Sequence, residues 1–218
     1  MATYVLIHGA GSDSWYWHRV IPLLRARGHT VVAPDLPCDD DSVGLTQYTD
    51  VVLKAIGYLT DLIVVAQSLG GFTAPLVCAR VPVELLVLVA AMVPAPGESG
   101  DDWWTNTGFP RSDRPFDIKE IFFHDVPPDV TAEAFRRGEK EQSGTPMKEP
   151  WPLKQWPDVP TRFVLCRQDR FFPPEFLRRV VQERLGITPD EIDGGHLPAL
   201  SHPDALVNRL EAYRLEIM

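Results

Sequence analysis

The chain reads as an α/β protein: a doubly wound, mainly parallel sheet covered by helices on both faces, with a small, mostly helical cap inserted late in the sequence. Three observations predict this. Short apolar runs, among them Thr3-Tyr4-Val5-Leu6-Ile7, Leu62-Ile63-Val64-Val65 and Leu85-Leu86-Val87-Leu88-Val89-Ala90, are too short for helices and apolar at nearly every position, as strands buried on both faces must be. Longer stretches with helical spacing lie between them, so strand and helix alternate. The pattern then breaks, because eleven of the 21 prolines fall between Pro94 and Pro160, where no buried strand is evident. Residues 1–94 and 156–218 are therefore assigned to the sheet core and residues 95–155 to the cap.

Taken in order, the first strand ends at His8-Gly9-Ala10-Gly11-Ser12, where glycines let backbone approach a ligand closely. A helix from Trp15 to Arg27 follows and stops at Gly28; Thr30-Val31-Val32-Ala33 is the second strand, closed by Pro34-Asp35-Leu36-Pro37. Tyr48 to Leu59 places Val51, Val52, Ala55, Ile56 and Leu59 on one helical face and leads into the strand at Leu62. The helix from Gly70 to Arg80 carries Pro75, which should kink it. Within the cap, short helices are expected around Ile118 to His124 and Val130 to Lys140. The sheet resumes at Thr161-Arg162-Phe163-Val164-Leu165-Cys166, followed by a helix from Pro174 to Leu185, a short segment at Asp190-Glu191-Ile192 and a last helix from Pro203 to Leu215.

Composition excludes several roles. A net charge of -9 provides no basic field for a phosphate backbone or an anionic lipid surface, so neither nucleic acid nor membrane is an expected partner. No apolar run approaches the length of a membrane span, and Met1-Ala2-Thr3 leads directly into a strand, so a cytoplasmic protein is expected. Cys38, Cys78 and Cys166 lack metal-ligand spacing and read as reduced, structural residues; no metal is expected. Asp39-Asp40-Asp41 reads as a solvated loop. Gly9-x-Gly11 followed by Asp35 imitates a dinucleotide fingerprint, but Ser14 stands at the third glycine position and bulky Trp15 and Trp17 follow, so no cofactor is expected.

The chemistry concentrates at Ala66-Gln67-Ser68-Leu69-Gly70-Gly71, a strand turning sharply into a helix with serine at the corner. This is the nucleophile elbow G-x-S-x-G with Ala66 at its first glycine position. An exposed serine there needs an imidazole to take its proton and a carboxylate to orient the imidazole. Asp169, beyond the strand ending at Cys166, and His196, on the glycine-flanked loop Asp193-Gly194-Gly195-His196, can fill those roles in the chain order Ser, Asp, His. The backbone N–H groups of Ala10 and Leu69 are candidate oxyanion donors. Trp103, Trp104, Phe123 and Leu197 are candidate pocket residues. His8 reads as part of the glycine turn, His29 as a loop residue, His202 as a helix-start residue and Asp193 as a residue that shapes the loop.

The elbow, the His8-Gly9 turn and the Asp169 and His196 positions resemble an α/β-hydrolase over nearly the whole chain. A narrower resemblance is to the plant methylesterase and hydroxynitrile lyase branch. It is carried by His8-Gly9-Ala10 with Trp15-x-Trp17, Pro22-Leu23-Leu24, Gly28-His29, Asp35-Leu36, Phe122-Phe123-His124-Asp125 and His196 followed by Ser201-x-Pro203. The resemblance implies an α/β-hydrolase fold, Ser68, Asp169 and His196 as the triad, Ala10 and Leu69 as oxyanion donors, and small, often aromatic, esters or cyanohydrins as substrates. The lyases carry a threonine after the first-strand histidine and a lysine after the catalytic histidine; this chain has Gly9 and Leu197. Ester hydrolysis is therefore the expected activity: a serine hydrolase acting on a small, largely apolar carboxylic ester, its only expected partner besides a homodimer, which the sequence allows. A hydroxynitrile lyase, a nicotinamide-dependent reductase and a non-catalytic ligand receptor are the alternatives.

Overall fold

The computed structural model describes residues 1–110, 115–138 and 140–217. Six strands form one sheet: β1 (Thr3–Ile7), β2 (Thr30–Val32), β3 (Leu62–Gln67), β4 (Leu85–Val89), β5 (Thr161–Cys166) and β6 (Asp190–Ile192). Every neighbouring pair is parallel, in the order β2-β1-β3-β4-β5-β6. The order reverses between β1 and β3, where the chain winds one way to β2 and the other way through β4 to β6. Because successive strand side chains point to opposite faces, each of β1, β3, β4 and β5 feeds two cores, while the short edge strands β2 and β6 feed only one. Val5, Ile7, Val64, Ala66, Leu86 and Leu88 join one, while Tyr4, Leu6, Ile63, Val65, Val87 and Val89 join the other. This double burial is why the strands are apolar at consecutive positions rather than alternating.

On the first face lie α2 (Leu45–Ile56), α3 (Gly70–Cys78) and α8 (Pro174–Leu185). On the second lie α1 (Val20–Ala26), α9 (Pro198–Ser201) and α10 (Pro203–Glu216). The helix expected from Trp15 to Arg27 is two pieces. Asp13 accepts the Trp15 N–H at 2.9 Å and starts a 3-10 turn over Ser14–Trp17, with Trp17 fully buried, before α1 begins. The second expected helix starts at Leu45 instead of Tyr48, since Glu149 of the insertion accepts the Leu45 N–H at 2.8 Å. That capping group is remote in sequence and invisible to local pattern. Pro75 lies inside α3 without ending it; residues Gly70 to Val77 are all buried, and this packing outweighs the lost backbone donor. His29 is a loop residue, as expected, but a buried one: its Nδ1 accepts the Ala2 N–H and its Nε2 donates to Glu211.

Between β4 and β5 run α4 (Gly100–Asn106), α5 (Ile118–Phe122), α6 (Pro128–Arg137) and α7 (Thr145–Lys148). Position 139, in the stretch expected as a helix to Lys140, lies outside the described residues. The two ends of this segment are bolted to the main core, whereas α5 and α6 bury no residue fully. Trp103 donates its indole N–H to the Val93 carbonyl at 3.0 Å and Trp151 donates to the Phe72 carbonyl at 3.1 Å, so both of these buried indoles are satisfied. Only the middle of the segment forms a roof.

Candidate active site

The reversal of strand order sets β1 beside β3, with Ile7 opposite Ala66, so the turns that leave these two strands meet. Ser68 occupies the turn after β3 at φ +51, a conformation that costs a side-chain-bearing residue energy and is held from all sides. Its N–H donates to the Val89 carbonyl at 3.3 Å, and its own carbonyl accepts from Gly71 and Met92 at 3.1 and 3.0 Å. The sharpness of the turn explains the glycine: a Cβ on Gly71 would lie 1.9 Å from the Met92 carbonyl oxygen. Ala66 is fully buried in β3 and its methyl group belongs to the core, so this position does not require glycine.

Three side chains from three strand ends converge. Ser68 Oγ lies 3.1 Å from His196 Nε2, and His196 Nδ1 lies 2.8 Å from Asp169 Oδ2. Asp169 Oδ1 accepts the backbone N–H groups of Phe171 and Phe172 at 2.8 and 2.9 Å. With Nδ1–H donated to the carboxylate, Nε2 is the tautomer's free lone pair and faces the serine hydroxyl. Gln67, the residue before the serine, donates through Nε2 to the His196 carbonyl at 3.1 Å. All three groups are buried, Ser68 at 8 %, Asp169 at 5 % and His196 at 2 % exposure, which strengthens each polar contact.

The turn after β1 completes the arrangement. Burial lowers the His8 pKa and keeps its ring neutral, Nε2 accepting the Leu36 N–H at 3.0 Å and Nδ1 donating to the Gly9 carbonyl at 2.8 Å. Gly9 is packed against the elbow so closely that a Cβ would meet Gln67 Oε1 at 2.4 Å and Ser68 Cβ at 2.9 Å. Among the described residues, neither the Ala10 nor the Leu69 amide donates a hydrogen bond, leaving two N–H groups on the turns that flank Ser68. Such an arrangement can pass a proton from hydroxyl to imidazole and present backbone donors to a forming oxyanion.

Ser68, His196 and Ala10 open into a cavity of about 510 Å³ between the sheet end and the roof. Of the four candidate pocket residues, Phe123 and Leu197 line this cavity and Trp103 and Trp104 do not. Trp103 is fully buried and packs on Phe172 and Phe176 at ring distances of 5.5 and 5.6 Å, and Trp104 stacks edge-on against it at 5.1 Å. The indole bond to Val93 draws α4 down into the core instead of over the cavity. The walls come instead from Trp15, Tyr16, Phe122, Phe135 and Phe171. Phe122 and Phe171 lie 5.3 and 5.0 Å from the His196 ring. Phe171 had a local signal, since it stands two residues after Asp169; Trp15 and Tyr16 follow the glycine turn in the same way. His8 and Asp193 take structural positions, the latter exposed and paired with Arg167 at 2.9 Å.

A sheet wound both ways around a switch point, with an elbow serine, an aspartate and a histidine beyond the ends of β3, β5 and β6, defines the α/β class built around a nucleophile elbow. The chain belongs to the alpha/beta hydrolase family, whose model matches residues 4–209. It is 36 % identical over 107 residues to a probable esterase of Oryza sativa subsp. indica, a match covering 44 % of this chain and 41 % of the rice protein. It is 24 % identical to an alpha-hydroxynitrile lyase of Arabidopsis thaliana over 99 % of this chain and 98 % of the lyase. Plant methylesterases are among its other relatives. The crystal structure of a pyrethroid hydrolase from Sphingobium faniae JZ-2 superposes with a TM-score of 0.79 at 22 % identity, covering 97 % of this chain and 96 % of that one. Among the described residues, no helix is long and apolar enough to cross a membrane.

Proposed function

We propose that this protein is a carboxylesterase-type serine hydrolase that cleaves a small, largely apolar ester through an acyl-enzyme. The observation that carries the reading is the continuous chain of contacts from Ser68 Oγ through His196 to Asp169, opening into an aromatic-walled cavity. Ser68 attacks the ester carbonyl while His196 Nε2 takes its proton; Asp169 holds the ring and stabilises the imidazolium. The Ala10 and Leu69 amides receive the oxyanion, His196 returns the proton to the departing alkoxide, and water releases the acid by the same steps in reverse. Esterase and methylesterase relatives support the hydrolytic reading. The lysine that the lyases it resembles carry directly after the catalytic histidine is replaced here by apolar Leu197, although Arg137 and Lys140 line the cavity elsewhere, which favours ester hydrolysis over cyanohydrin cleavage. The reading is tested with short-chain p-nitrophenyl esters on the native protein and on Ser68→Ala. Turnover that falls to background in the variant supports it; equal rates, or no turnover by the native protein, overturn it.

A further inference from the structure

The loop carrying His196 begins with two glycines, the least restrained backbone available, so something must hold it. The peptide joining Gly194 to Gly195 is gripped at both ends. Its oxygen accepts the Gln168 N–H at 3.0 Å, a bond from the sheet, and its nitrogen, Gly195 N–H, donates to Asp125 Oδ2 at 2.6 Å, a bond from the roof. Asp125 comes three residues after α5 and is mostly buried. The approach is tight: a Cβ on Gly195 would lie 2.7 Å from both Asp125 Oδ1 and His124 Nε2. His202 Nδ1 flanks the same carboxylate at 3.5 Å.

We infer that Asp125 is a positioning residue for His196, setting from the cap side the angle at which the imidazole meets Ser68. The inference rests on the esterase reading for its kinetic arm only. Gln67 and Gln168 hold the loop from the sheet side, but the plane of the Gly194–Gly195 peptide, one peptide removed from His196, is set on its nitrogen side by Asp125 alone among the described residues. Its charged acceptor makes that bond short and directional. Released, the peptide can rotate and swing the ring away from the 3.1 Å contact with Ser68 Oγ. A misplacement of about 1 Å costs on the order of a hundredfold in rate. Phe122 and Phe123, which line the cavity, lie on the same stretch as Asp125, so the segment that packs on substrate also holds the base.

The test compares Asp125→Ala, Asp125→Asn and Gly195→Ala with the native protein, by p-nitrophenyl ester kinetics and by the low-field proton resonance of the His196 Nδ1–H bonded to Asp169. Gly195 is not at positive φ, so its alanine variant changes the contact with Asp125 and not the backbone region, and it serves should Asp125→Ala not fold. Asp125→Ala and Gly195→Ala should lower kcat by about tenfold or more while KM stays close to native, with the resonance shifted or lost. Asp125→Asn, which keeps an acceptor, should recover most of the loss. Native kcat with an unmoved resonance, or an effect confined to thermal stability, overturns the inference. A shifted resonance in a protein that hydrolyses no ester would leave Asp125 as the positioning residue and remove the esterase reading alone.

Discussion

Aromatic residues in this chain divide between two roles that composition does not separate. Trp103 is wholly inside, its ring packed on Phe172 and Phe176 and its N–H on Val93; Phe122 lies against the His196 ring and the cavity. Truncating them should therefore fail differently. Trp103→Ala removes a large buried side chain and should cost about 3–5 kcal/mol, lowering Tm by roughly 10 °C for a chain of this size with KM near native. Phe122→Ala should raise KM several-fold while Tm falls far less. Thermal melts and ester kinetics on the two variants check the division, and matching effects would show that it is wrong. Ser68 and Asp169 could be singled out because each follows a run of strand-forming residues, where the chain must turn, and His196 because it stands on a glycine-flanked loop. The pocket walls were not. Whether Trp103 faces a cavity or a core depends on the carbonyl that its indole finds, here ten residues away on another segment.

At the scale of elements, the insertion is tied to the core by an ion pair. Glu98, just before α4, meets Arg184 near the end of α8, its Oε1 2.8 Å from the guanidinium Nη2, and also accepts from Asn106 and the Ala95 N–H. Burial alone would raise the Glu98 pKa, but the Arg184 bonds, with those of Asn106 and Ala95, outweigh it and hold the carboxyl below the usual range. A depressed folded pKa contributes stability that is present above the unfolded value of about 4.3 and is lost as pH falls through the folded pKa. Glu98→Gln should accordingly be less stable at pH 7, by about 3–5 kcal/mol if Arg184 is left buried and unpaired. Its stability should then fall less than the native protein's between pH 7 and pH 3. Denaturant curves at both pH values decide this; parallel losses would mean that the pair contributes nothing to the acid limb.

For the whole molecule, the site exists only while the sheet does. Ser68 and His196 are 128 residues apart in the chain and meet because β3 and β6 belong to one sheet with β4 and β5 between them. The thiols report on the same cooperative unit. Burial pushes the Cys166 thiol well above its ordinary pKa and the Cys78 thiol up to about 12, so neither offers thiolate to a reagent at neutral pH. Labelling by a chromogenic disulfide should be slow for both in the native state and fast in denaturant, and the rate at the fully buried Cys166, unlike that at the half-buried Cys78, should follow global unfolding. Rapid labelling of Cys166 without loss of ester turnover would show a local opening of β5 instead.

By itself the sequence determined the layers and pointed to the candidate site: apolar runs at every position demand a sheet covered on both faces, and an elbow serine with an aspartate and a histidine in that order marks three strand ends that the fold brings together. These are local consequences of side-chain period and turn residues. The start of α2, the burial of Trp103 and the grip of Asp125 on Gly195 were decided only in three dimensions. In each case a buried backbone or indole group, or a helix N-terminus, takes its hydrogen-bond partner from a remote segment. Local sequence states that such a partner is needed, and only the tertiary structure says which residue supplies it.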